Sequence, residues 1–157
     1  MTVRSLVAPL LIAITAGCVH LTTPAPYFAD SLSDLKNKTV SFYDGLIAAP
    51  PGDPNCRFSA NSDFWMKSER TLTILKYRVA VREEDGVLAE PLDTLVKVFA
   101  QAKNAQETAE KSPVTGPTTV ANRDCLAPQM AALDSARIED GIDHLLILQQ
   151  KRKDASK

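Results

Sequence analysis

The stretch LAEPLDTLVKVFAQAKNAQETAEK, running from Leu88 to Lys111, decides the fold. Leu88, Leu92, Leu95, Phe99, Ala102 and Ala109 recur at steps of three, four or their sum. That is the period of one face of an α-helix. Pro91 suits the first helical position, where a missing N–H loses no bond. A helix is therefore expected from about Pro91 to Lys111, closed by Ser112-Pro113. One apolar stripe must be buried against something, so the neighbouring segments settle the fold class.

The same period continues on both sides. From about Asp30 to Ala48 the stripe is Leu32, Leu35, Thr39, Phe42 and Leu46. Asp30 or Ser31 can cap its start. The turn Ala49-Pro50-Pro51-Gly52-Asp53-Pro54 ends it, because proline lacks a donor and clashes with the preceding turn. From about Ser62 to Glu84, Trp65, Leu72, Leu75 and Val79 share a side, and Ile74, Tyr77 and Val81 widen the apolar arc. Asn61 or Ser62 is the candidate cap. Asp85-Gly86 is the stop, with Gly86 free to take a positive φ. The β-branched run from Ile74 to Val81 also fits a strand, but the length and clear bounds of the segment favour a helix. From about Pro128 to Lys153 the stripe is Met130, Leu133, Arg137, Gly141, Leu145 and Leu148, broadened by Ile138 and Ile142. Arg137 interrupts it and is expected at the edge, stem packed and head in water. Lys151, Arg152 and Lys153 fall where the helix dipole favours cations. The expected architecture is all-α, an antiparallel four-helix bundle spanning residues 30–157, with no internal repeat.

The start of the chain reads differently. Arg4 precedes an apolar stretch from Leu6 to Ile14, and Thr15-Ala16-Gly17 leads into Cys18. The stretch is shorter than the roughly 20 apolar residues needed to span a bilayer. Residues 1–17 read as a removed leader. In this region the chain resembles the bacterial lipoproteins, whose leader ends in a small-residue box before a modified cysteine. Thr15 stands where leucine is commoner in that family. The resemblance implies lipidation of Cys18, a cut before it, and acylation of the new amino terminus. Each acyl chain contributes about 0.8 kcal/mol per buried methylene, and stable anchoring takes more than one. In enteric-type members an aspartate after the cysteine favours inner-membrane retention; Val19 stands there in this chain, so the resemblance implies the outer membrane, facing the periplasm. Residues 18–29, with Pro24 and Pro26, read as a tether of about 40 Å at full extension.

Loss of the leader removes 17 residues and one cation, leaving 140 residues with 17 basic and 19 acidic side chains. That is one domain of ordinary size, large enough for a core. Its near-neutral balance argues against nucleic acid as a partner. Cys56 and Cys125 then remain as an even pair in an oxidising compartment, which reads as a disulfide. An up-down-up-down bundle starts its second and fourth helices at the same end. Cys56 precedes the second and Cys125 the fourth, so both thiols reach one end, as a disulfide requires.

Candidate sites are few. Phe58, Phe64 and Trp65 cluster after Cys56; they either close that end of the core or stay exposed to anchor a partner protein. Asp140 and His144 lie one helical turn apart, with Asp143 between them, but the paired Glu-x-x-His motifs of di-iron bundles are absent, so no metal is expected. His20 has no evident partner. The acidic run Glu83-Glu84-Asp85 falls at a turn. No Gly-x-Ser-x-Gly elbow or Gly-rich phosphate loop occurs. No catalytic residue and no cofactor is expected. The expected role is a membrane-anchored, non-enzymatic module that binds an envelope protein; a carrier of a lipid or metal between helices is the alternative.

Overall fold

The computed structural model describes residues 25–50, 52–82, 86–111 and 124–155. They form α1 (Ala25–Ala48), two 3-10 turns (Pro54–Cys56 and Ser59–Asn61), α2 (Ser62–Arg82), α3 (Ala89–Lys111) and α4 (Pro128–Ala155), with no strand among them. The expected leader at residues 1–17, Cys18, His20 and the acidic run at 83–85 lie outside the described residues. Among the described residues no helix is long and apolar enough to cross a membrane.

The helices form an antiparallel ring in chain order. Along α1 and α4, Lys36 pairs with Asp143 and Tyr43 lies within the field of Asp134, so one number rises as the other falls. Along α2 and α3 the pairs are Trp65–Gln106, Glu69–Lys103 and Lys76–Asp93. Along α1 and α2 they are Tyr27–Arg78 and Phe42–Phe64. The packing of α1 on α4 is the most extensive and that of α1 on α2 the thinnest. The helices that carry the two cysteines at their heads, α2 and α4, are diagonal.

Each helix buries one stripe, and each stripe departs somewhere from expectation. In α1 the stripe begins earlier: Phe28 packs in the core one turn before Leu32. The helix therefore starts at Ala25, inside the segment expected to be tether. Pro26 does not prevent this, because the first-turn N–H groups need no helical partner. Tyr43, fully buried, takes the place expected for Phe42.

In α2 the inner stripe is Trp65, Ser68, Leu72, Leu75 and Val79. Ile74, Tyr77 and Val81, expected to broaden it, are exposed on the opposite side.

In α4 the buried residues are Ala131, Asp134, Ser135, Ile138, Ile142 and Leu145. Met130 and Leu133, expected inside, are outside. The reason is rigidity. Ile138, Ile142 and Leu145 together outweigh Met130 and Leu133, at about 1.5–3 kcal/mol per fully buried large side chain. A helix of 3.6 residues per turn then carries Asp134 inward and turns Leu133 out. Arg137 lies in solvent. Gly141 allows close approach of α3: a Cβ there would lie 2.9 Å from Cδ1 of Leu95, whose tip would have to shift.

In α3 the stripe matches expectation down to Ala102, and then buries Gln106. The helix opens at Ala89, one turn after Gly86, which takes φ 67°. Pro91 still falls in the first turn.

Candidate functional site

The segment between α1 and α2 is braced from several sides. Asp53 accepts a hydrogen bond from the Asn55 N–H at 2.8 Å and starts the first 3-10 turn. The side-chain amide of Asn61, a candidate helix cap, instead donates to the carbonyls of Asn55 and Arg57. Cys56 and Cys125 are joined, with Cα atoms 5.4 Å apart. Arg57 reaches Asp124 beside them at 2.7 Å. Ser59 donates from both its N–H and its hydroxyl to Glu110 on α3. Those two bonds hold the Glu110 carboxyl below its ordinary value, the hydroxyl contributing most.

Gln106 completes this end of the bundle. The indole N–H of Trp65 donates to Gln106 Oε1 at 2.6 Å, and Gln106 Nε2 donates to the Cys56 carbonyl at 3.1 Å. Trp65 is 1 % exposed and Gln106 fully buried. Trp65 is thus a core residue and offers no surface to a partner. Phe58 and Phe64 remain partly exposed and pack on the core from its edge.

Phe64 leads to a sizeable groove among the described residues. It stacks on Phe42 with ring centroids 3.8 Å apart and planes 14° from parallel. Trp65 meets both rings edge-on from behind. The stack floors a groove of about 540 Å³ between α1 and α2, where the two helices pack most thinly. Leu35 and Ser68 complete the floor, and Lys38 and Lys67 stand on the rim. Lys38 pairs with Asp34 and Lys67 with Asp63, each one turn away on its own helix. The arrangement is an apolar floor inside a polar, charge-balanced margin. Such a surface takes up an apolar side chain with polar flanks.

The trio on α4 is dispersed. Asp143 is half-buried and held by Lys36, whereas Asp140 and His144 are exposed. The same ion pair raises the Lys36 ammonium above its ordinary value. No group of three metal-ligating side chains occurs among the described residues. Lys151 is exposed in the last turns of α4.

Two polar groups inside the bundle were not foreseen. The Tyr43 hydroxyl and one Asp134 carboxylate oxygen are buried without a hydrogen-bond partner. Burial raises the pKa of both, and the nearby Asp134 charge adds to the shift at Tyr43, while Arg137 opposes that at Asp134. Their place follows from helix register alone, which no local motif signals. No family model, curated protein or solved structure matches this chain.

Proposed function

We propose that this chain is a lipid-anchored lipoprotein of the bacterial envelope whose helical domain is a non-enzymatic, protein-binding module. The observation that carries the reading is Cys18 behind Ala16-Gly17 and the apolar run from Leu6 to Ile14. With acyl chains on Cys18, the few residues before α1 span about 25 Å at most, so the bundle stays beside the bilayer. Val19 supports the periplasmic face of the outer membrane as its station.

The groove between α1 and α2 is the surface offered to an envelope protein. Its half-exposed aromatic stack, backed by Trp65, is rigid before a partner arrives, so little ordering is lost on binding. The interior supports this reading over a carrier, because Tyr43, Trp65, Phe99, Ile138 and Ile142 fill the space between the helices.

Two measurements test it. Intact-mass analysis of the protein from its native host should give residues 18–157 plus two or three acyl chains. An unprocessed leader with a free Cys18 thiol would refute the anchor. In-cell crosslinking should capture a defined envelope protein, and Phe64→Ala should reduce that capture by about tenfold, as for an aromatic contact of moderate weight. Undiminished capture by the folded variant would remove the groove from the reading.

A further inference from the structure

The outer side of α2 is the strongest unexplained surface. Met66, Ile74, Tyr77 and Val81 are 60 %, 37 %, 70 % and 62 % exposed. With Arg70 they form one stripe, spaced by four, four, three and four residues. At 3.6 residues per turn, the stripe lies directly opposite Trp65, Leu72, Leu75 and Val79. The helix therefore has two apolar faces, and the bundle covers one of them.

The stripe is nearly symmetric about residue 74. Reversed and laid on itself, it places Met66 against Val81, Arg70 against Tyr77, and Ile74 against Ile74. A two-fold interface requires this reciprocity, since residue i meets j and j meets i. Arg70 is exposed and can take such a partner. The other cations on α2 with described side chains are engaged: Lys67 with Asp63, Lys76 with Asp93, and Arg78 over the Tyr27 ring at 3.7 Å. Arg70 meets no carboxylate among the described residues. A guanidinium over a tyrosine ring is already used in this chain, and a second copy supplies that pairing twice, through Tyr77.

We propose that the outer face of α2 pairs antiparallel with the same face of a second copy. Five residues a side is far below the roughly 20–30 of a standard interface. The pairing is therefore weak in free solution and strong only where copies share a surface, so in the cell it rests on the lipid anchor proposed above. Confinement to a bilayer supplies the effective concentration that the contact itself lacks.

Site-directed crosslinking tests it, with the full chain in its native host. Ile74→Cys sits at the symmetry point and should give a covalent dimer under mild oxidation. Leu133→Cys, on the outer face of α4 and 45 % exposed, controls for random collision and should give none. Adding Arg70→Glu to Ile74→Cys should cut the dimer yield about tenfold, as two cation–π contacts are lost, with the thermal melt unchanged. The purified Ile74→Cys chain at about 1 mM, a concentration matching that of a short tether, should crosslink through its introduced thiol without a membrane. Dimer in that sample but none in cells supports the pairing and counts against the anchor alone. Monomeric Ile74→Cys chain in both settings, or equal yields at positions 74 and 133, overturns the pairing.

Discussion

Trp65 and Gln106, 41 residues apart in the chain, form a buried hydrogen bond of 2.6 Å that fixes α2 on α3. Gln106 spends its other end on the Cys56 carbonyl, so one side chain links two helices and the disulfide loop. Replacing it with leucine keeps the volume roughly constant but leaves the indole N–H and a buried carbonyl unpaired. At about 1–3 kcal/mol for each orphaned group, Gln106→Leu should lose roughly 2–6 kcal/mol. Urea unfolding followed by Trp65 fluorescence should show a lower midpoint at an unchanged slope.

The disulfide closes a separation of 69 residues. In the chain-entropy account a loop of that size contributes about 4 kcal/mol through the unfolded state. The Cys56→Ala, Cys125→Ala double variant should lose about that much in denaturant unfolding. It should keep its helical circular dichroism, because the Gln106 bond uses the Cys56 backbone and Arg57–Asp124 spans the same junction.

Gly141 and Leu95 supply a coupled test. Alanine at 141 gains about 1 kcal/mol of helix propensity. Its Cβ meets a leucine that is 1 % exposed and has little room to move. Overpacking of about 1–3 kcal/mol should win, so Gly141→Ala should destabilise the bundle. In a Leu95→Ala background the clash is gone and the same substitution should stabilise it. Thermal melts of the four chains give the sign in each background.

Asp134 and Glu110 should bend the pH dependence of stability in opposite directions. Burial raises the Asp134 pKa in the folded state. Its favourable share is complete below the unfolded aspartate value, near ~4, and is lost as pH rises through the raised folded value. Asp134→Asn should therefore be more stable than the parent at neutral pH, with the advantage shrinking on acidification. Glu110 is lowered by the two Ser59 bonds. Its share is complete above the unfolded glutamate value and lost as pH falls through the lower folded one. Ser59→Ala should shrink the loss of stability on acidification. Unfolding free energies of the three chains from pH 3 to 8 distinguish the two signs.

Much of the fold was legible because helical period is local. Leu92, Leu95 and Phe99, or Leu72, Leu75 and Val79, select a face without knowledge of any neighbour. Gly86 announced its positive φ, and the cysteines sat at the heads of the helices that an alternating bundle brings to one end. Wherever a helix offered more than one apolar face, the period lost its power. In α2 two opposed stripes looked like one broad arc, and in α4 the upper and lower halves named different faces. Phe28 was hidden behind two prolines that resemble a linker.

By itself the sequence determined four amphipathic helices, since helical period depends on residues close together in the chain, and it paired Cys56 with Cys125 by placing them at the heads of alternate helices. The tertiary structure alone decided which face of α2 and α4 turns inward, and therefore that Trp65 is closed, that Gln106 holds it, that Asp134 is buried and that Phe42 and Phe64 floor a groove. The reason is that a rigid helix has one rotation for its whole length. That rotation is chosen by the sum of its contacts with other helices, a quantity no single segment contains.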